Sequence, residues 1–189
     1  MAVTLESNEL RGKIFRRLVW GGAAVLLLLP AVAMQFTAEM NWNAADFIVW
    51  GGMLLVACVS YEIAARIARS NAYMAAAGVA VAGAFLMTWV NLAVGIIGNE
   101  NNPANEMFFW VIAVAGIGAL VVLFRARGMV WVMSATAVAQ LAVCLYAWFA
   151  GLGYVFVFTG VMCALWIASA RLFHHAARTG SGSLIMRDP

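Results

Sequence analysis

Charge is what this 189-residue chain has least of: 10% of its residues are Asp, Glu, Lys or Arg, against 66% that are hydrophobic. A soluble domain carries about 25% charged residues. A soluble chain this short could not hide so many apolar side chains in one core, so that class is excluded. Cysteine is scarce too. Cys58, Cys144 and Cys163 all lie in apolar runs, outside any Cys-x-x-Cys or Cys/His cluster. Such cysteines act as small hydrophobes, and they suggest neither a disulfide framework nor a zinc site. The two histidines, His174 and His175, are adjacent; on a helix they point about 100° apart and make poor joint ligands. They cannot supply a haem from two helices either. The sequence names no cofactor.

What fills the chain instead is a series of long apolar blocks. Six segments stand out at about 18–36, 46–66, 72–97, 107–124, 129–150 and 153–173. Blocks near 20 residues match the hydrocarbon thickness of a bilayer. The expected fold is all-α, a polytopic transmembrane bundle of six helices, with sequence neighbours packed antiparallel. Residues 1–17 read as an amphipathic cytoplasmic approach to the membrane, 18–173 as the transmembrane domain, and 174–189 as a flexible cytoplasmic tail containing Gly180-Ser181-Gly182-Ser183. A signal peptide ending at Ala31-Val32-Ala33 is the competing reading of the start; the apolar run continues past it to Phe36, which favours a retained helix. Pro30 is expected to kink that helix.

The 11 Lys and Arg residues then orient the chain. Arg11, Lys13, Arg16 and Arg17, then Arg66 and Arg69, Arg125 and Arg127, and Arg171, Arg178 and Arg187 all fall on one side of such a topology. The other three loops carry only Glu39, Asp46, Glu100 and Glu106. The positive-inside rule therefore places both termini in the cytoplasm of a cytoplasmic membrane. Trp20, Trp42, Trp50, Trp110, Trp131 and Trp148 lie near predicted ends, as interfacial belts require. The partner read directly from composition is the lipid bilayer, and nothing suggests nucleic acid.

Inside the segments, polar side chains are few and therefore informative. No Asp, Glu, Lys, Arg or His lies near the middle of a predicted helix, which counts against a proton relay or a hydrolytic site at mid-depth. Asn91 and Gln140 are the strongest polar groups, and each should face a neighbouring helix, because an unpaired amide in hydrocarbon costs several kcal/mol. Glu62 and Arg66 have the spacing of a helical ion pair. Small-residue rows, Ala76-Ala80-Ala84-Thr88, Ala115-Ala119 and Gly160-Ala164-Ala168, suit close helix packing within the chain, with contact to a partner or a second copy as the rival.

The densest polar stretch is TWVNLAVGIIGNENNPAN, Thr88–Asn105. Thr88, Asn91 and Gly95 are spaced to share a helix face, which leads into Asn99, Glu100, Asn102 and Asn105. These are the ligand-binding candidates: Thr88, Asn91, Asn99, Glu100, Asn102 and Asn105. Carboxylates and amide oxygens also suit Ca²⁺ or Mg²⁺, so Glu39, Asp46, Glu100 and Glu106 are weak metal candidates. The bland alternative is a structured loop in which the Asn residues cap helices and make turns around Asn102-Pro103. The run Trp89–Asn91, Ala93–Gly98, Glu100 and Asn102–Asn105 resembles a family of small bacterial polytopic membrane proteins of uncharacterised role. Asp46-Phe47, Tyr61-Glu62 and Arg127-Gly128-Met129 belong to the same pattern, which covers about residues 40–140. The resemblance implies no activity, substrate or catalytic residue.

The function expected is that of a binding or accessory membrane component acting through an extracytoplasmic site at Thr88–Asn105. The alternative is a small-solute or cation transporter or channel with that region as outer vestibule. A membrane enzyme is the weakest class, for want of a nucleophile–base pair or a metal cluster.

Overall fold

The computed structural model describes residues 2–37, 41–68 and 70–185, and side chains over 16–37, 41–68 and 70–179. The described residues form six helices, α1 Ala2–Ala33, α2 Ala44–Ile67, α3 Asn71–Ala93, α4 Glu106–Val121, α5 Ala126–Phe149 and α6 Phe156–Ile185, and no strand. A single 3₁₀ turn, Pro103–Asn105, leads into α4. Every helix is long and apolar enough to cross a membrane, with mean hydropathy between 1.5 and 1.8 over the spans. Their outer faces carry bare apolar side chains, Trp110 at 73% exposure and Val157 at 84% among them. Such a surface is a liability in water and the ordinary condition in lipid.

Helix ends differ from expectation at three places. α1 is one helix from Ala2, with no break before the apolar run. α6 continues to Ile185, so much of the stretch expected as a flexible tail is helical. α3 stops at Ala93 rather than 97 because Gly95 turns left-handed, at φ +73°, the usual helix-ending role of glycine.

The chain divides into two compact units, Met1–Ile63 and Ala64–Pro189. In the first, α1 and α2 run antiparallel, with Leu26 beside Trp50 and Arg16 beside Glu62. Pro30 explains the first contact. Lacking an N–H, it cannot donate to the carbonyl four residues back, which belongs to Leu26. The Trp50 indole N–H donates to that carbonyl at 2.9 Å instead. Trp42 stands edge-on to Trp50 at 6.0 Å. Arg16 reaches Glu62 at 2.8 Å, so a cation from α1 serves this carboxylate. Asn43 opens α2: its side-chain oxygen accepts from the N–H groups of Ala45 (2.7 Å) and Asp46 (3.3 Å), while Asp46 accepts from the Asn43 N–H at 2.8 Å. This reciprocal cap satisfies N–H groups that a helix start leaves without partners.

In the second unit α3 packs on α6, α6 on α5 and α5 on α4, while α4 only lightly touches α3. The expectation that sequence neighbours pack therefore fails at α3–α4, where the long 94–105 connection lets the helices diverge. The core is built on Met87, Phe108, Met133, Met162, Trp166 and Phe173, all at 0–1% exposure. Gly83 lies under the Trp166 ring, where an added Cβ would stand 3.2 Å from Cη2. Ser169 donates to the Ala76 carbonyl at 2.9 Å, a contact that small residues on α3 permit.

The small-residue row on α6 is placed otherwise than expected. Gly160, Ala164 and Ala168 are exposed, and a Cβ on Gly160 would meet nothing within 4 Å. The packing face of α6 is the opposite one, through Thr159, Met162, Cys163, Trp166 and Ser169. At one end of this unit Tyr73 stacks edge-on against Phe173 at 5.1 Å and donates its hydroxyl to the Phe124 carbonyl at 2.6 Å. That bond pins the α4–α5 turn, where Leu123 (φ 50°) and Phe124 (φ 55°) are both left-handed without being glycine. Arg125 and Arg127 follow at this end; the 94–105 connection lies at the other.

Candidate functional site

The stretch from Val94 to Asn105 folds into a cap over the end of α3 and the start of α4, and Asn105 is its hub. Its side-chain oxygen accepts from the N–H groups of Ile96 (3.0 Å) and Ile97 (2.8 Å). Its amide nitrogen donates to the carbonyls of Ile97 (3.3 Å) and Asn99 (2.7 Å). A primary amide has two N–H donors and two lone pairs, so the side chain is saturated, at 4% exposure. No other side chain of this size offers both signs of hydrogen bond in one rigid plane.

The rest of the cap is sewn in the same way. Asn91, 3% exposed near the end of α3, donates from Nδ2 to the Asn105 carbonyl at 3.0 Å. Asn102 accepts from the Ala104 N–H at 3.0 Å, setting the turn at Pro103. Asn99 accepts from the Asn101 N–H at 3.0 Å. Ile97 is driven inward to 1% exposure. Gly95 is needed for closeness as well as for its φ: a Cβ there would collide with the Asn99 carbonyl group.

The candidates from sequence separate accordingly. Asn91, Asn102 and Asn105 come together as internal scaffolding of the cap. Asn99 and Glu100 are exposed at its tip, where the Asn101 amide donates to Glu100 at 3.2 Å. Thr88 is engaged within its own helix, donating to the Ala84 carbonyl at 2.8 Å, and Gly95 lies beyond the helix whose face it was expected to share. Among the metal candidates, Asp46 caps α2, Glu106 is the exposed first residue of α4, and Glu39 lies outside the described residues. Among the described residues no three His, Cys, Asp or Glu side chains are grouped as metal ligands.

Two features escaped the sequence reading. An apolar groove of about 470 Å³ opens beside the cap, lined by Leu86, Val90 and Ile96 on one wall and Tyr154, Val155 and Met162 on the other. At and below the cap, five buried polar atoms have no partner: Asn91 Oδ1, both amide atoms of Gln140, Thr159 Oγ1 and Trp166 Nε1. Gln140 was legible as an isolated amide in an apolar helix. Thr159 was not, because a threonine in a membrane helix ordinarily bonds its own backbone. No family model, curated protein or solved structure matches the chain.

Proposed function

We propose that the chain is a multi-pass protein of a bacterial cytoplasmic membrane, with both termini inside, and that it binds a partner or ligand through the 94–105 cap on the outer side. The orientation rests on the one-sided placement of Lys and Arg and the positive-inside rule. The binding role rests on one observation: the cap engages Asn91, Asn102 and Asn105 in holding its own backbone and leaves Asn99, Glu100 and Asn101 exposed on a fixed tip. A surface ordered before it meets its partner loses little entropy on binding. An accessory component that docks onto a larger membrane assembly, or a protein that holds a small polar ligand, uses a surface of this kind.

A photo-crosslinking residue at position 100, compared in intact cells with one at the lipid-facing position 117, tests the role. A discrete adduct at 100 that is lacking at 117 is expected. Equal labelling at both, or none at 100, overturns it. Transport is the second reading, favoured by the unpartnered polar atoms beneath the cap.

A further inference from the structure

The interior of the α3–α6 unit holds a cluster of polar side chains that the chain itself does not satisfy. Helix register brings Gln140 and Thr159 together. On α5 and α6, Cys163 Sγ lies 3.6 Å from the Ala137 carbonyl. From that contact Gln140 is three residues along α5, about 4.5 Å, and Thr159 four residues back along α6, about 6 Å. On α3 and α6, Gly83 meets Trp166. From there Asn91 is about 12 Å along α3 and Thr159 about 10.5 Å back along α6. Gln140 and Thr159 therefore stand at one level, within about 1.5 Å along the helix axes, and Asn91 lies further toward the cap, by about 1.5 Å reckoned from the Gly83 contact and about 7.5 Å from that of Ser169 with Ala76. Asn91, Gln140 and Thr159 are all buried, at 3%, 0% and 2% exposure. Trp166, 0% exposed, continues the Thr159 face two turns deeper with its indole N–H unpartnered.

The unfilled valences define the occupant. Gln140 offers two N–H donors and a carbonyl oxygen, Thr159 a hydroxyl, Asn91 an acceptor oxygen and Trp166 a donor. Donors and acceptors are interleaved, and no Asp, Glu, Lys, Arg or His lies within two turns of this level on α3, α5 or α6. A bare cation would meet N–H groups and an anion would meet carbonyl oxygens, neither with a compensating charge. A small neutral molecule that both donates and accepts suits every group present. Buried polar atoms in native proteins are nearly always paired, and water is the usual partner where the chain supplies none.

We infer that Gln140 and Thr159 form an internal site that binds water between α5 and α6, extended toward Trp166 on one side and Asn91 on the other. The site is separate from the cap surface and does not depend on what the cap binds. It makes the cap end of an otherwise apolar unit polar without placing a charge there. A group of neutral polar side chains of this kind holds water while offering nothing to an ion.

Pulsed X-ray radiolysis of the protein in lipid nanodiscs tests it, because hydroxyl radicals form from water in place and oxidise only side chains beside it. Cys163 and Met162 flank Thr159 and are buried, as is Cys58 on α2. The expected result is oxidation of Cys163 several-fold faster than Cys58, with Met162 and Trp166 also labelled. Gln140→Leu and Thr159→Val should each reduce labelling of Met162, Cys163 and Trp166 while leaving Cys58 unchanged. Thr159→Val preserves shape, and carries the test if Gln140→Leu does not fold. Cys163 oxidised no faster than Cys58, or labelling that persists unchanged in the folded variants, overturns the inference.

Discussion

Removing the Trp50 indole N–H should cost stability only because residue 30 is proline. In an uninterrupted helix the Leu26 carbonyl would accept from the N–H of residue 30; proline has none, and the Trp50 indole takes that place at 2.9 Å. Trp50→Phe keeps an aromatic ring near Trp42 but withdraws the donor, leaving a carbonyl unpaired among apolar groups. An unsatisfied buried acceptor costs about 1–3 kcal/mol. Pro30→Ala restores the helical donor, so in that background the same Trp50→Phe change should lose only packing. The two substitutions should therefore couple by about 1–2 kcal/mol, well above the few tenths expected of independent sites. Reversible unfolding of the four proteins of this cycle in mixed micelles measures the coupling, and lost ring packing cancels between backgrounds. An equal cost of Trp50→Phe in both would refute the account of the Leu26 carbonyl.

Other consequences of the packing are open to simpler tests. Asn105→Ala strands four backbone groups at once, and should cost about 3 kcal/mol or more and open the 94–105 loop to protease. Glu100→Gln should be additive with Asn91→Ala, since the structure gives Glu100 to Asn101 and Asn91 to Asn105; a coupling above about 0.5 kcal/mol would contradict this. Leu123→Gly relieves a left-handed backbone at an exposed position and should raise stability by about 1 kcal/mol, seen as a higher melting temperature in detergent. Ala164→Leu on the outward row should leave melting unchanged, whereas Gly83→Leu, under Trp166, should lower it by overpacking of about 1–3 kcal/mol.

Helix number and membrane character were legible because they depend on composition averaged over some 20 residues. Lateral order was not. Nothing in the residues of α6 says which of two faces meets α3. Gly160-Ala164-Ala168 and Thr159-Met162-Cys163-Trp166 both look like interfaces, because in lipid small residues and polar residues alike favour helix contact. The structure chooses the face with the larger side chains, since Trp166 fills the space that Gly83 vacates. At the cap, sequence showed many Asn residues around a proline but not their division of labour. Asn105 and Asn101 are chemically identical. One is saturated inside and the other exposed, because only Asn105 is held beside the Ile96 and Ile97 N–H groups by the 3₁₀ turn that leads into α4.

Four contacts between elements share a feature that bears on how this sequence specifies one arrangement. Trp50 donates to the Leu26 carbonyl, Tyr73 to that of Phe124, Ser169 to that of Ala76 and Cys163 to that of Ala137. In each case a side chain from one element meets the backbone of another. A carbonyl is present at every residue, so such a bond asks nothing of the accepting position except that its side chain stand aside. Alanine at 76 and 137 does so. Leu26 and Phe124 accept because a proline and a left-handed turn respectively expose their carbonyls. Specificity is then set by the donor and by the local break that bares the acceptor. That pairing is poorly visible in sequence, since the two halves are unlike residues with no shared spacing. It also explains why so apolar a chain can be held in register by so few polar side chains: each one draws on a backbone carbonyl that the fold already presents.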